Sequence, residues 1–193
     1  MLDQLEAPEA PVDGHLPGNI DMWVFVLGDL VIFGFYVLVF MIYRHHEPTL
    51  FRASQEHLNL LVGTVNTLVL LTSSRFVAQA VQAARARDNE RARRLIARAI
   101  ACAAVFTALK AYEWTEEVHH GFTFPHNDFF MFYFALTGVH LFHVLLGVVV
   151  LGVVSYNLRD PDQGPSLVEA GATYWHMVDV VWVVLFATVY LLR

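Results

Sequence analysis

The sequence lacks the features on which several classes of protein depend. It has a single cysteine, Cys102, and therefore cannot form an internal disulfide, a Cys-x-x-Cys redox pair or a thiolate metal cluster. Charged residues make up only 16% of the chain, whereas a typical soluble domain has about 25%. The net charge of -6 provides no overall basic surface for nucleic acid. These shortages exclude a disulfide scaffold and a nucleic-acid-binding protein, and they argue against an ordinary soluble enzyme.

Hydrophobic residues are what the chain has in excess, at 56% with a mean hydropathy of +0.49. A membrane-spanning helix needs roughly 20 mostly apolar residues. Five segments meet that requirement: Met22–Tyr43, Leu58–Val81, Leu95–Trp114, Phe129–Tyr156 and Gly171–Leu192. The sequence therefore predicts an all-α integral membrane bundle of five transmembrane helices. This bundle is expected to form one domain over residues 21–193, after a mobile acidic tail at residues 1–20.

Arginine is concentrated on one side of the predicted bundle. The connection between the second and third segments, residues 83–98, contains a run of arginines, whereas the opposite side receives only Arg44, Arg52 and the terminal Arg193. Cytoplasmic loops of membrane proteins carry an excess of Lys and Arg. We therefore expect the N-terminus and residues 83–98 in the cytoplasm and the C-terminus in the periplasm.

Ionisable residues inside the predicted spans are costly to bury, so each one needs a partner or a purpose. Asp29 and Arg75 lie at similar depths, which favours either a structural ion pair between them or a functional carboxylate. Arg75 could instead extend to lipid phosphates. Lys110 and Glu113 lie one turn apart and can pair along one helix face. Asn66 adds an uncharged polar group to the second span.

Histidines on the last two spans form further candidate sites. His140 and His143 are three residues apart, as are His176 and Asp179, so each pair shares a helix face. The simplest interpretation is structural: the histidines bond to neighbouring helices, and Asp179 orients His176. One functional alternative is haem ligation by His140 or His143 together with His176. Another is a proton or ion path through Asp29, His143, His176 and Asp179.

A free-standing di-iron or zinc enzyme is a third alternative. Two overlapping Glu-x-x-His motifs, at residues 116–119 and 117–120, have a spacing that places both ligands on one helix face. The two copies point in different directions, and no second helix repeats the motif. This pattern therefore gives little support to a metal site.

Small and aromatic residues lead to expectations about packing. Gly138, Gly147 and Gly152 on the fourth span permit close approach of a neighbouring helix. Aromatic residues near the ends of the spans favour the membrane interface. They are Tyr43, Trp114, Tyr156, Trp175 and Tyr190.

Two strings carry a more specific signal. Residues 174–182, Tyr-Trp-His-Met-Val-Asp-Val-Val-Trp, resemble the last-helix signature of subunit III of haem–copper oxidases. Residues 137–144, Thr-Gly-Val-His-Leu-Phe-His-Val, with Gly147 after them, are similar to that family's preceding-helix signature. The stretch around Gly28 and Asp29 resembles the one that holds the family's buried helix carboxylate, normally a glutamate. The resemblance runs from about residue 20 to the C-terminus.

The resemblance implies a non-catalytic, multi-pass subunit of a bacterial respiratory complex in the inner membrane. Members of this family bind no haem or copper themselves. They pack beside the catalytic subunit I, which holds haem and copper or non-haem iron, bind phospholipid and help to sustain proton uptake. Asp29 would occupy the position of the carbodiimide-reactive carboxylate, with aspartate in place of glutamate. The histidines would then be structural.

The resemblance also leaves an alternative open. The long form of the family has seven helices, and this chain matches only the last five, so the lipid cleft between the first two helices and the rest is open or completed by another chain. Short forms occur in bacterial cytochrome and quinol oxidases. They also occur as the NorE-type accessory protein of nitric-oxide reductase clusters. This chain resembles the NorE-type branch more at residues 16–18, at residues 22–25 and at the Gly28-Asp29 pair.

Overall fold

The computed structural model describes residues 20–160 and 165–192 of the chain, and the predicted acidic tail lies outside them apart from residue 20. The described part contains six α-helices followed by a short π-helix, and it contains no strand. In chain order the helices are α1 (Ile20–His46), α2 (Pro48–His57), α3 (Leu60–Arg85), α4 (Asn89–His119), α5 (Asp128–Asn157), α6 (Pro165–Phe186) and the π-helix (Ala187–Leu191).

The prediction of five spans is confirmed. α1, α3, α4, α5 and α6 with its π-helix are long and apolar enough to cross a membrane. Several helices extend beyond the apolar segments that predict them. α4 has 31 residues because the Asp88 side chain accepts a hydrogen bond from the Arg91 backbone N–H at 2.9 Å and caps its first turn. Gly121, with a φ of 87°, follows its other end, where a glycine can adopt this conformation without strain.

The short helix α2 is the element that the sequence does not predict. Pro48 ends the first span as expected, because proline cannot continue a helix. It also stands in the first turn of α2, where its missing N–H has no bonding partner to lose. Phe51, Ser54 and Gln55 form the buried face of α2 against the bundle. α2 therefore closes one end of the bundle rather than forming a simple loop.

α6 lies at the centre of the bundle, in contact with α1, α3 and α5, while α3 and α4 pack along each other. The side chain of Trp175 fills the space opposite Gly147, where an added Cβ would lie 2.8 Å from the indole ring. The prediction of close approach is confirmed at Gly147. It is wrong at Gly152, where no neighbouring atom lies within 4 Å.

Burial also corrects the predicted interfacial positions of two aromatic residues. Trp175 and Tyr190 are 0% and 3% exposed, and therefore belong to the core. Tyr43 and Tyr156 are 43% and 66% exposed, as the interfacial prediction requires. The difference arises because Trp175 and Tyr190 lie on the side of α6 and the π-helix that faces the other helices, whereas Val180, Val183 and Val184 lie on an exposed side.

Candidate functional site

Asp29 and His143 meet across α1 and α5. The Asp29 Oδ2 atom lies 3.6 Å from the His143 Nε2 atom, and the two side chains are 15% and 14% exposed. The edge of the Phe33 ring packs against the imidazole, with 5.2 Å between ring centres. Asp29 is the tenth residue of α1, which places it about 14 Å from the start of that helix. The pair therefore lies well inside the span.

The hydrogen bonds of His143 determine how this pair can hold a proton. The Nδ1 atom lies 2.8 Å from the carbonyl oxygen of Val139, and a carbonyl only accepts, so Nδ1 carries a hydrogen. The Nε2 atom of a neutral imidazole would then direct its lone pair at the Asp29 carboxylate. Attraction requires one more proton, on either Nε2 or the carboxyl group. A proton at either position would let the two side chains form a hydrogen bond.

A cavity of about 160 Å³ opens beside this pair between α1 and α5. The Asp29 Oδ2 atom has no hydrogen-bond partner in the described part of the chain. A cavity of this size has room for more than one water molecule, and water prefers sites with polar partners. The remaining lining is almost entirely apolar and consists of Ile32, Phe33, Tyr36, Ala135, Leu136 and Val139.

The predicted ion pair between Asp29 and Arg75 is wrong. The charged atoms nearest to Asp29 belong to His143 on α5, whereas Arg75 is exposed on the outer face of α3. Depth along the membrane normal is similar for Asp29 and Arg75, but contact also requires that two helices turn the same faces towards each other. The rotation of α3 directs Arg75 away from α1.

Lys110 is the centre of a second, closed polar cluster. Its side chain is 0% exposed, and its ammonium group donates to Glu113 Oε2 at 3.0 Å, Tyr190 Oη at 2.7 Å and Tyr133 Oη at 3.3 Å. The Tyr190 hydroxyl donates to Glu113 Oε1 at 2.5 Å. All three ammonium hydrogens thus have an acceptor. The predicted pairing of Lys110 with Glu113 is confirmed.

Aromatic rings surround the Lys110 ammonium group as well. Its nitrogen lies 4.8 Å, 5.2 Å and 5.3 Å from the ring centres of Tyr133, Trp182 and Tyr190. Cation–π attraction to these rings adds to the hydrogen bonds. Glu117, one turn beyond Glu113, is 4% exposed, and its Oε2 atom has no partner among the described residues. The cluster joins α4, α5 and the π-helix.

Hydrogen bonds from α1 and α2 also hold the π-helix and Leu192, close to the Lys110 cluster. The Gln55 side chain donates from α2 to the carbonyl oxygen of Val189 at 2.8 Å. The Arg44 guanidinium donates from α1 to the carbonyl oxygen of Leu192. These bonds and the Tyr190 hydroxyl give the Lys110 cluster a structural role, because they fix the π-helix to three other helices.

His176 and Asp179 meet on α6, as their spacing predicts. The His176 Nδ1 atom lies 3.8 Å from Asp179 Oδ2 and 2.8 Å from the Ser74 hydroxyl on α3. Asp179 is 5% exposed, and neither of its carboxylate oxygens has a hydrogen-bond partner in the described residues. No hydrogen bond or ion pair within residues 20–160 and 165–192 connects this group to Asp29 and His143. A continuous proton path through all four residues is therefore not formed by direct contact.

His140 and Asn66 are completely buried polar residues. The His140 ring stacks on Trp182 with 5.1 Å between ring centres and meets the edge of the Phe106 ring at 5.8 Å. Neither ring nitrogen of His140 and neither amide atom of Asn66 has a partner in the described part of the chain. Both side chains are therefore buried without a hydrogen bond to the described residues, and the His140 ring is held by its contacts with Trp182 and Phe106.

The three histidines proposed as haem or metal ligands do not converge. His140 faces Trp182, His143 faces Asp29, and His176 faces Ser74. Across the described residues, no three His, Cys, Asp or Glu side chains are grouped as metal ligands, and this includes the Glu-x-x-His motifs at residues 116–120. The geometry therefore does not favour a free-standing haem or di-iron enzyme.

Tyr133 and Tyr190 are the residues of these clusters that sequence reasoning missed. Helical spacing identifies partners on the same helix, and both tyrosines reach Lys110 from other helices. One signal was available for Tyr190, because a buried lysine calls for more acceptors than one carboxylate can provide.

Comparison with known proteins agrees with this arrangement. The family model described as "Cytochrome c oxidase subunit III" matches residues 19–193. The chain is 35% identical to cytochrome c oxidase subunit 3 of Corynebacterium diphtheriae over 140 residues, which are 71% of this chain and 68% of the relative. It is 32% identical to the Synechocystis protein of the same name over 173 residues, which are 88% and 73% of the two chains.

A quinol oxidase subunit is similar as well. The probable quinol oxidase subunit 3 of Staphylococcus saprophyticus is 26% identical over 184 residues, which cover 93% of this chain and 90% of the relative. All three relatives are described as oxidase subunits. The comparisons therefore do not favour the NorE-type alternative.

Proposed function

The chain belongs to the cytochrome c oxidase subunit III family, and on that premise we propose its place in the complex. It is the non-catalytic subunit III of a bacterial cytochrome c or quinol oxidase, a multi-pass protein of the inner membrane. It packs beside the catalytic subunit, which holds the haem and copper. Its N-terminus and residues 83–98 face the cytoplasm, as the distribution of arginines favours.

The observation that carries the functional part of the proposal is the Asp29–His143 pair at the α1–α5 cavity. The resemblance of the stretch around Gly28 and Asp29 to the family motif assigns Asp29 the position of the family carboxylate, and His143 faces it at 3.6 Å. The pair is 14–15% exposed and opens on the cavity. Water in the cavity could therefore deliver a proton to the pair or remove one, which a sealed ion pair would not allow. We assign this pair a role in supplying protons for oxygen reduction.

Electron transfer belongs to the catalytic subunit in this proposal. Each intramembrane histidine here has a neighbour that fixes its ring, and the three neighbours differ. The role of subunit III is therefore to hold the catalytic subunit, to retain phospholipid around it and to keep its proton supply efficient.

α1 provides surface for those contacts. Only 17% of its most apolar 18-residue segment is buried inside the described bundle. Val24 and Val31 are 69% and 72% exposed on its outer side. In a membrane this surface is covered by lipid or by another subunit, since water is absent from the hydrocarbon layer.

The experiment that tests the proposal is purification of the tagged chain from its native membrane in a mild detergent. Mass spectrometry of the eluate identifies the subunits, and a visible spectrum identifies bound haem. We expect an oxygen-reducing haem–copper catalytic subunit to be present, with the haem signal following that subunit when the complex is dissociated. A nitric-oxide reductase partner would contradict the proposal in favour of the NorE-type alternative. A chain that purifies alone with bound haem or iron would contradict the proposal that it is a non-catalytic subunit.

A further inference from the structure

A second groove lies on the α3–α4 face of the bundle. It has a volume of about 350 Å³ and an apolar lining. It extends from Val65 to Thr72 along α3, which is about 10 Å of helix. The groove has the dimensions of a segment of acyl chain rather than of a polar ligand. Its lining consists of Val65, Leu68, Val69, Thr72, Ala101, Cys102 and Val105.

Two arginines stand at one end of this groove. Arg75 follows Thr72 by one helical turn on α3, and Arg98 precedes Ala101 by one turn on α4, so each continues the face that lines the groove. Both arginines are exposed. The Ser73 hydroxyl donates to the Ala99 carbonyl oxygen at 3.0 Å and aligns the two helices. Arg75 and Arg98 therefore lie within about 1.5 Å of the same depth.

Arg75 and Arg98 lie about 15 Å and 14 Å from the ends of α3 and α4 that adjoin residues 83–98, which is about the depth of Asp29 in α1. α4 has 31 residues and is about 46 Å long, whereas the hydrocarbon core of a bilayer is about 30 Å thick. The first turns of α4, which contain Arg91 and Arg94, therefore lie among the headgroups or beyond them. Arg98 comes next towards the membrane centre, and its flexible stem can place the guanidinium among lipid phosphates.

The charges of Arg75 and Arg98 are not neutralised within the described bundle. Arg85 pairs with Glu169 at 2.8 Å and Arg94 with Glu90 at 3.3 Å. No carboxylate of the described residues lies within ion-pair distance of Arg75 or Arg98, and the guanidinium carbon of Arg98 lies 6.0 Å from the Phe76 ring centre. A guanidinium group presents paired donors that match a phosphate group.

We propose that the α3–α4 groove binds one anionic phospholipid. An acyl chain lies along the apolar lining, and the phosphate accepts hydrogen bonds from Arg75 and Arg98. The inference rests on the proposed function as a membrane subunit and adds the class of lipid and its site. A helix of another subunit is a less suitable occupant, because it would have to bring acidic side chains into the membrane to match both arginines.

Lipid binding to the purified complex provides the test. The complex is stripped of lipid in mild detergent, and native mass spectrometry counts the phosphatidylglycerol or phosphatidylcholine molecules, with identical acyl chains, that rebind. We expect the wild type to bind one phosphatidylglycerol in preference to phosphatidylcholine. The double variant Arg75→Gln/Arg98→Gln should weaken that binding roughly fivefold for each arginine removed. Arg91→Gln removes an exposed arginine on the same side and should leave binding unchanged.

A second variant separates the groove from the charges. Ala101→Phe fills the groove but keeps both arginines, and it should reduce binding of the same phosphatidylglycerol molecule. Equal binding of the two lipids by the wild type would overturn the proposal, as would full binding by the double variant.

A label attached to the protein in the groove would displace the lipid, so the photoreactive group is placed on the acyl chain of phosphatidylglycerol. In the intact complex supplied with this lipid, the proposal requires cross-links to the groove residues of α3 and α4, such as Cys102. Cross-links that reach only other polypeptides would show that another subunit covers the groove and would overturn the lipid site. The proposed function would still stand in that case, because it depends on which subunits co-purify with the chain.

Discussion

α6 and α1 are both apolar enough to cross a membrane, but the rest of the bundle buries α6 far more than α1. The most apolar 18-residue segment of α6 and its π-helix is 61% buried in the bundle, and that of α1 is 17% buried. Opposite α6, an added Cβ at Gly147 would lie 2.8 Å from Trp175, whereas Gly28 and Gly34 on α1 have no neighbour within 4 Å. Hydropathy is therefore a poor guide to which helix is central. The close contacts of α6 define a fixed core, and the sparse contacts of α1 define an accessible edge.

The Lys110–Glu113 pair and the Asp29–His143 pair differ in the same way. Lys110 and Glu113 lie against the end of α6 in a network that uses every ammonium hydrogen. Asp29 and His143 lie between α1 and α5, beside a cavity and with an unpaired carboxylate oxygen. A closed network stabilises one arrangement, whereas an open pair can exchange a proton with water. We therefore assign the first pair to stability and the second to function.

Removing the Lys110 charge should have the largest effect. Lys110→Met leaves Glu113 buried without a counter-charge, which we expect to lower the free energy of unfolding by about 3–5 kcal/mol. Unfolding of the purified subunit in increasing dodecyl sulfate, followed by circular dichroism, measures the loss. The matched double variant Lys110→Met/Glu113→Leu removes both charges and should recover much of the stability. A single variant as stable as the wild type would show that the closed network does not hold the core.

Adding a methyl group opposite α6 should have the next largest effect. Gly147→Ala forces a Cβ against the Trp175 ring, which we expect to cost about 1–3 kcal/mol of unfolding free energy. Gly28→Ala on α1 is the matched control, and it should be neutral or slightly stabilising because alanine favours the helix. Equal losses at the two positions, measured by the same denaturation, would remove the distinction between core and edge.

Replacing Asp29 should change reactivity more than stability. We expect Asp29→Asn to lower the free energy of unfolding by less than about 1 kcal/mol, because water in the cavity can solvate the His143 that remains. Carbodiimide labelling of this subunit, located by peptide mass spectrometry, should be lost in the variant. Glu56→Gln, on the exposed side of α2, should leave labelling intact. Undiminished labelling of Asp29→Asn would mean that another carboxylate is the reactive group.

The exposed ion pair between Arg85 and Glu169 should have the smallest effect. Its side chains are 60% and 18% exposed, and pairs of this kind contribute at most about 1 kcal/mol. We expect Arg85→Gln to lower the free energy of unfolding only slightly, and this difference from the wild type should disappear at high salt. A loss as large as that of Lys110→Met would place an essential contact at the edge of the bundle.

The spans could be predicted from the sequence because a long apolar run has few alternatives to a membrane helix. Their ends could be predicted less well, since capping by Asp88 extends α4 beyond its apolar part. α2 is only ten residues long and amphipathic, and it contains no apolar run that would identify it. Hydropathy therefore identifies the five spans but not the element that closes the bundle.

Partners within one helix could also be predicted, and partners on different helices could not. The spacing of Lys110 and Glu113 fixes their contact, because residues three apart share a helix face. Asp29 lies at the depth of Arg75 but contacts His143, because the rotation of each helix selects the partner. Tyr190 was expected at the membrane interface and instead completes the Lys110 cluster, because its side chain faces α4 inside the bundle. Rotation and burial arise from the whole assembly and cannot be obtained from one span.

Proton uptake by the complete oxidase tests the central claim most directly, namely that Asp29 and His143 supply protons. Oxygen consumption and proton uptake would be followed together during continuous turnover of complexes carrying Asp29→Asn or the control Glu56→Gln. We expect the Asp29→Asn complex to begin oxygen reduction at the wild-type rate and then to slow as proton uptake falls behind. The control should keep the wild-type course throughout. Unchanged proton uptake in the Asp29→Asn complex would contradict the account and leave the pair a structural contact between α1 and α5.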